Sequence, residues 1–413
     1  MKKRRKPLVI DLFAGCGGLT EGFKNAGFKV VAAVEYDKNA AKTYRVNHPE
    51  VALLEDDITN PDIVAHLERL TGGNNVDVVI GGPPCQSFSL IGRAKDPYGM
   101  ENDPRNRLVN RYAEIVEHLN PKFLVMENVP GILNARYGSI YKNLMNRLKR
   151  LGYIVHSDKL NAAHYGVPQL RNRIIFIGNR LDIGAGCSED ELKILFYPEK
   201  THWAPYYWHS IELAEPKTGE KHLKRFLTLR DAVHDLPEVE AGSGDSPCRY
   251  NSDRVCSEYQ ELMRIDAPKG WIYNHVARYN NPNDLKRYGT LKPGQIARDL
   301  PKRLRIYRDD IFDDKFKRQS WDRPSTTIVA HMHKDGNMFI HPGQVRSLTA
   351  REAARIQSFS DGYIFDGPTN NWYKQIGNAV PPLMAQAIAS HIKKLLNETV
   401  DYGVEQQRSL VYS

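Results

Sequence analysis

Along the first part of this chain, short unbroken apolar runs alternate with stretches whose apolar residues recur at helical spacing. The run over residues 8–13 ends in Gly15 and predicts a strand, and residues 18–25 read as a helix stopped by Gly27. A second strand is predicted over 30–34, after which Asp37 can cap a helix running through Asn47. Asn60 and Pro61 open a third helical pattern over 62–70, with proline at the first helical position. Runs at 76–80, 123–126, 153–155 and 173–177 predict further strands, with amphipathic helices near 108–119 and 140–151 between them. That order predicts an α/β protein built on a doubly wound sheet.

The rhythm changes after about residue 180. To about residue 341 the chain is richer in aromatic residues, proline and charge, as at 197–208 and 298–317, and βα alternation ceases. This predicts a second, smaller domain of irregular and β structure. A helical pattern returns over 348–359, with Ser347 or Thr349 as its cap, and 382–396 predicts a last amphipathic helix. The expected division is a first domain over 1–180 completed by 370–413, with 181–369 forming the second domain and a hinge. At 413 residues, two domains are also what chain length suggests.

Composition narrows the class. The chain is 41% hydrophobic and 26% charged, with no apolar run near the roughly 18 residues of a membrane span. The basic start from Lys2 to Lys6 lacks the apolar core of a signal peptide, so a cytosolic protein is expected. Five scattered cysteines without a Cys-x-x-Cys pair indicate neither a disulfide framework nor a zinc site. His331 and His333 lack nearby ligand partners in the sequence, and no metal is expected. A net charge of +9 favours a polyanionic partner.

Two segments carry candidate chemistry. Asp11 to Gly18 turns the first strand into the first helix, where such sheets bind nucleotide-like cofactors, but Thr20 stands where a dinucleotide fingerprint has its third glycine. A cofactor without a pyrophosphate needs no such glycine. Glu35 is placed to accept from ribose hydroxyls and Asp57 to hold an adenine amino group, so S-adenosylmethionine fits better than NAD. The second segment is Gly81-Gly82-Pro83-Pro84-Cys85-Gln86-Ser87-Phe88-Ser89, where two prolines stiffen the approach to a cysteine just after a strand. Such stiffness suits a nucleophile that must meet a carbon at a set angle.

These segments, together with Glu127-Asn128-Val129, Gln169 to Arg173, Arg351 to Gln357 and Gly377 to Pro381, occur in an order that resembles the DNA (cytosine-5-)methyltransferases over nearly the whole chain. The resemblance implies a Rossmann-like S-adenosylmethionine-dependent methyltransferase domain and a separate target-recognition domain. It implies Cys85 as the nucleophile that adds to carbon 6 of a flipped-out cytosine. Glu127 would be the acid at ring nitrogen 3, with Arg171 and Arg173, two apart on a strand, pointing into one pocket to hold the base or buttress Glu127. Against the cofactor it places Asp11, Phe13, Ala14, Gly15, Gly17, Gly18, Glu35, Tyr36, Asp57, Ile58 and Pro83, with Asn378, Ala379 and Val380 closing the pocket.

Double-stranded DNA is the implied partner. The family's commonest setting, a bacterial restriction-modification system, implies a monomeric cytoplasmic enzyme acting on the nucleoid alongside a separate endonuclease. The rival reading, a transfer-RNA cytosine methyltransferase on the same scaffold, is disfavoured by the length of the 180–341 stretch and the lack of a Cys-Phe-Thr signature. A non-catalytic DNA-binding derivative is disfavoured by intact Cys85, Glu127 and Arg173, and an NAD-dependent dehydrogenase by Thr20 and the cysteine loop.

Overall fold

A computed structural model describes residues 5–73, 75–84, 106–203, 222–250, 254–306 and 315–411, without the side chains of 106, 136, 137 and 399–411. The chain divides into two compact units. The first comprises Met1–Leu160, Asn172–Glu199 and Met384–Ser413, and the second Asn161–Arg171 and Lys200–Leu383. These breaks fall at other places than the boundaries at 180 and 370 expected from the change of rhythm.

The first unit is built on seven strands: β1 (Leu8–Leu12), β2 (Lys29–Val34), β3 (Ala52–Leu54), β4 (Val78–Gly81), β5 (Phe123–Asn128), β6 (Ile154–Asn161) and β7 (Asn172–Asn179). Their order in the sheet is β3-β2-β1-β4-β5-β7-β6. β1 pairs in parallel with both β2 and β4, β4 with β5, and β7 runs antiparallel to β5. Strands such as Val78–Gly81 and Phe123–Asn128 are buried at every position, as a sheet covered on both faces requires.

Helices α1 (Gly18–Asn25), α2 (Lys38–Asn47), α3 (Ile63–Leu70), α4 (Asn106–Leu119) and α5 (Ser139–Arg150) supply the cover. Ile63 and Leu67 of α3, Val109 and Val116 of α4 and Leu144 and Leu148 of α5 form one cluster with Ile10, Val79 and Leu124. Tyr112 joins it and donates its hydroxyl to the carbonyls of Val79 (3.2 Å) and Val125 (3.0 Å), tying α4 across β4 and β5. The expected cap of α2 is present, with Asp37 accepting from the amides of Asn39 and Ala40. At α3 the N-cap is Asp62, so Pro61 precedes the helix instead of opening it. The later part of the last helix, Pro382–Val411, belongs to this unit: Lys393 donates to the carbonyl of Ala26 at 2.8 Å, and Ile388 and Ile392 are fully buried.

The order reverses between β1 and β4, since β2 and β3 lie to one side and β5, β7 and β6 to the other. In such sheets the crevice outside the carboxyl ends of the two central strands is the ligand site. Residues 12–18 and 81–84 lie there.

The second unit is more helical than the expected irregular and β structure. Its strands are two-residue ladders, including Gly244–Asp245 with His275–Val276 and Cys248–Arg249 with Trp271–Ile272. Its helices are α7 (Leu229–Val233), α8 (Glu258–Arg264), α9 (Pro282–Thr290), α10 (Ala350–Ile356) and α11 (Thr369–Asn378), α6 (Glu189–Phe196) being part of the first unit. The helical pattern read over 348–359 falls on α10, capped by Thr349, whereas α7, α8 and α9, five to nine residues long, are too short for apolar periodicity to announce; side-chain caps start all four. Thr228 with Asp231 and Thr349 with Glu352 form reciprocal capping boxes, and Asn281 caps α9 just before Pro282.

Buried ion pairs hold this unit around α10. Arg355 donates to both oxygens of Asp361 (2.8 and 2.6 Å) and to Asp235 (2.6 Å), while Arg346 meets Glu352 through two bonds (2.8 and 2.7 Å). All five side chains are essentially without exposure. Removing one member strands its partners in a low-dielectric interior. Arg355→Ala is therefore expected to destabilise the second unit by about 3–5 kcal/mol, read as a lowered denaturant midpoint of the tryptophan fluorescence transition.

Candidate active site

The β1–α1 turn is shaped by three residues with left-handed backbone: Phe13 at φ 60°, Gly15 at 57° and Gly17 at 94°. Glycine accepts this conformation without strain, whereas Phe13 needs the surrounding structure to hold it. The amide of Ala14 donates to the Val34 carbonyl (3.0 Å), and that of Gly17 to the Ala14 carbonyl (2.9 Å). Glu35, just beyond β2, receives the amide of Gly15 on Oε2 (2.7 Å) and that of Asp37 on Oε1 (2.6 Å). Burial raises its pKa, opposed by these two hydrogen bonds.

A side-chain carbon added at Gly15 would meet nothing within 4 Å, so the space over the turn is open. Beside it the ring of Tyr36 is 73% exposed. An anchored carboxylate with lone pairs to spare, open space above a glycine and an exposed aromatic residue fit a ribose and an adenine.

Not every residue expected at the cofactor is free to touch one. Asp11 is fully buried, with Oδ2 accepting from Thr20 Oγ1 at 2.7 Å, so it lies beneath the turn instead of facing a ligand. Ile58 is a member of the apolar cluster, because the chain turns inward after the exposed Asp57. Asp57 spends Oδ1 on the amide and hydroxyl of Thr59 (2.9 and 2.8 Å), which fixes the local turn. Ala14 is buried within the turn.

The carboxyl ends of β4 and β5 form the other half of the site. A Cβ at Gly81 would stand 2.5 Å from the Leu12 carbonyl oxygen, so only glycine lets β4 lie this close to β1. The next position, Gly82, faces Glu127: a Cβ there would approach Glu127 Oε2 to 3.1 Å. Asn128 donates to the carbonyl of Pro83 at 3.2 Å, tying the proline turn to β5. Cys85 follows one residue beyond Pro84 and, with residues 86–89, lies outside the described residues.

Glu127 Oε1 is 2.6 Å from Arg173 Nε, and each side chain is 11% exposed. The antiparallel register of β5 with β7, which sets Glu127 opposite Ile175, brings them together from positions 46 apart in sequence. Burial lowers the pKa of Arg173, and the charge of Glu127 opposes that shift. The result is a carboxylate held by a guanidinium at the strand ends beside the turn that leads to Cys85.

Arg171 does not share this arrangement, contrary to expectation. Strand β7 begins at Asn172, so the two-residue alternation does not extend to Arg171, which is grouped with the second unit. Its guanidinium is fully buried and donates to the carbonyls of Ile328 (2.7 Å), Gly377 (3.0 Å) and Ala379 (2.9 Å). It is a staple among backbone segments. Gln169, unassigned from the sequence, does similar work: Nε2 donates to Gln357 Oε1 (2.7 Å), and Oε1 accepts the amide of Ile328 (2.7 Å).

Gly377 and Asn378 end α11 and are not an open turn. A Cβ at Gly377 would come within 2.3 Å of the Val329 backbone, so glycine is required for this contact. Asn378 is exposed, Ala379 is the C-cap and Val380 is buried. Among the described residues, no group of three or more His, Cys, Asp or Glu could hold a metal ion.

The family model of the C-5 cytosine-specific DNA methylases matches residues 8–394. The chain belongs to this family. As a member it is a DNA cytosine-5 methyltransferase that takes its methyl group from S-adenosylmethionine. Type II methyltransferase M.DdeI of Desulfomicrobium norvegicum is 37% identical over 93% of this chain and 88% of its own length. Type II methyltransferase M1.HphI of Haemophilus parahaemolyticus is 34% identical over 94% of this chain and 86% of its own. Among solved structures, a prophage-encoded Escherichia coli protein, proposed by its description to be a DNA modification methyltransferase, superposes with a TM-score of 0.70 at 27% identity, covering 95% of this chain and 100% of that one.

Proposed function

We propose that this methyltransferase modifies cytosine within a specific duplex sequence as the protective half of a restriction-modification system, working as a monomer in the bacterial cytoplasm on nucleoid DNA. The observation that carries the site assignment is the Glu127–Arg173 pair at 2.6 Å, set against Gly82 at the root of the cysteine turn. The type II names of the relatives support the setting.

Carbon 5 of cytosine is a weak nucleophile until the ring is converted to an enamine. Cys85 does this by bonding to carbon 6. Charge then develops on ring nitrogen 3, where Glu127 delivers a proton or a hydrogen bond, kept in place by Arg173. S-adenosylmethionine, when bound, supplies the electrophilic methyl group that carbon 5 takes up. Ring nitrogen 3 then gives its proton back to Glu127, and loss of the carbon 5 proton to solvent expels Cys85 as thiolate and restores the aromatic ring. Glu35, the backbone of Gly15 and Gly17, and the ring of Tyr36 hold the cofactor.

A base inside a duplex cannot reach Cys85, so the cytosine must be extruded at a cost of about a few kcal/mol. Residues 200–383, which carry Lys302, Arg303 and Arg305, supply the offsetting DNA contacts and the sequence choice. Labelled methyl transfer to duplex DNA and to transfer RNA tests the substrate, and bisulfite sequencing of DNA from expressing cells tests sequence choice. Transfer to RNA alone, or methylation without a common flanking sequence, would defeat the reading.

Glu35→Ala is expected to weaken S-adenosylmethionine binding by about 10- to 100-fold, since hydrogen bonds to a charged group are worth about 1.5–3 kcal/mol. The single-turnover rate at saturating cofactor should change little. Titration calorimetry and single-turnover kinetics separate the two.

A further inference from the structure

Beneath the cofactor turn lies a chain of three buried groups. Asp11 on β1, Thr20 on α1 and Tyr44 on α2 have no exposure. Thr20 Oγ1 donates to Asp11 Oδ2 at 2.7 Å and lies 2.8 Å from the Tyr44 hydroxyl. A threonine has one hydroxyl proton and spends it on Asp11, so Tyr44 is the donor to Thr20. The turn 13–17 lies between Asp11 and Thr20 in sequence, and the chain of bonds therefore clamps both of its ends.

Asp11 Oδ1 is buried and has no hydrogen-bond partner among the described residues. The groups that act on Asp11, or on which it acts, are Thr20, Glu35, Tyr44 and Tyr112, all hydroxyls or acids. The His48 ring lies against that of Tyr44 with centroids 4.7 Å apart and planes tilted, and burial together with Lys24 lowers its pKa to about 3, so it is neutral near pH 7. Burial raises the pKa of Asp11 to about 7, with the Thr20 bond opposing and the charge of Glu35 adding.

We propose that Asp11, Thr20 and Tyr44 are a positioning relay that links the charge of the methyl donor to a proton: Asp11 holds the proton in the free protein and releases it to solvent when the cationic donor occupies the turn, but not when the neutral spent cofactor does. The inference rests on the turn at Glu35 as the donor's seat. A cation there favours the ionised form of both carboxyl groups, whereas the neutral sulfide left after methyl transfer does not. The sign follows by linkage. Donor affinity rises as pH passes from about 6 to 8, by up to about tenfold if only the ionised form accepts the donor, while product affinity stays level. The relay thereby makes the donor's affinity relative to the spent cofactor grow as pH rises through this window.

Titration calorimetry of the full chain with S-adenosylmethionine and, separately, S-adenosylhomocysteine, in buffers of different ionisation enthalpy at pH 6, 7 and 8, counts the protons. The donor is expected to release a fraction of a proton at pH 7 and the product close to none. Asp11→Asn should diminish the release and make the donor's pH profile shallower. Thr20→Val, which removes the bond that favours ionised Asp11, should move the midpoint upward, and Thr20→Ser should restore it. Undiminished release in Asp11→Asn, equal release by both ligands, or an unmoved midpoint in Thr20→Val would overturn the relay. Glu35→Gln separates the two readings: unchanged affinity for both ligands there overturns the seat itself.

Discussion

Cys85→Ser is expected to abolish methyl transfer while leaving DNA binding close to that of the unaltered protein. The hydroxyl keeps the shape of the side chain but lacks the ionisation that makes a thiol useful. A free thiol has a pKa near 8.5 and is a few per cent thiolate at pH 7, whereas a serine hydroxyl is effectively never ionised there. The segment leading up to residue 84 is held without any help from sulfur: Gly81 is locked against the Leu12 carbonyl and Pro83 is held by Asn128. A covalent complex with duplex DNA carrying 5-fluorocytosine, resistant to denaturing gel electrophoresis, should form with the unaltered protein and be absent from Cys85→Ser. A complex of equal yield in the variant would remove Cys85 from the mechanism.

Glu127→Gln is expected to slow single-turnover methyl transfer by about 10²- to 10⁴-fold, the range supplied by a positioned acid. Glutamine nearly matches glutamate in volume, and the antiparallel backbone ladder keeps β5 and β7 tied without the charge. What it loses is a transferable proton and the charge that the guanidinium holds. Arg173→Ala removes the other half of the pair, leaving Glu127 nearly buried without its cation. Because the two act as one unit, the double variant should be little slower than the slower single variant. Rates that multiply would show the two side chains acting independently, and an unslowed Glu127→Gln would exclude it as the acid.

Much of this protein was legible along the chain, and the reason is local. The run at 123–126 is apolar throughout and that at 8–13 is apolar but for Asp11, because their strands are largely buried, and the helix at 38–47 announces itself through Asp37, which caps it. The motifs that place the chain among cytosine-5 methyltransferases are contiguous segments whose backbone demands are written in glycine and proline. Gly15 and Gly17 take left-handed backbone, and Gly81 allows a 2.5 Å approach that any side chain would block. Short helices such as 229–233 were not legible, because a single capped turn leaves almost no periodic signal.

Tertiary structure decided what depends on residues far apart. Arg171 and Arg173 look equivalent in sequence, yet β7 starts between them, and one staples the carbonyls of residues 328, 377 and 379 while the other meets Glu127. Asp11 and Ile58 sit in cofactor-binding motifs, but helices α1 to α4 close over them, so one becomes a buried acid and the other part of the core. The pairing of Gln169 with Gln357 joins residues 188 apart, a separation at which no local pattern exists to be read. Short segments determine their own backbone through sterics and capping, whereas the environment of a charge is set by whichever distant surface folds against it.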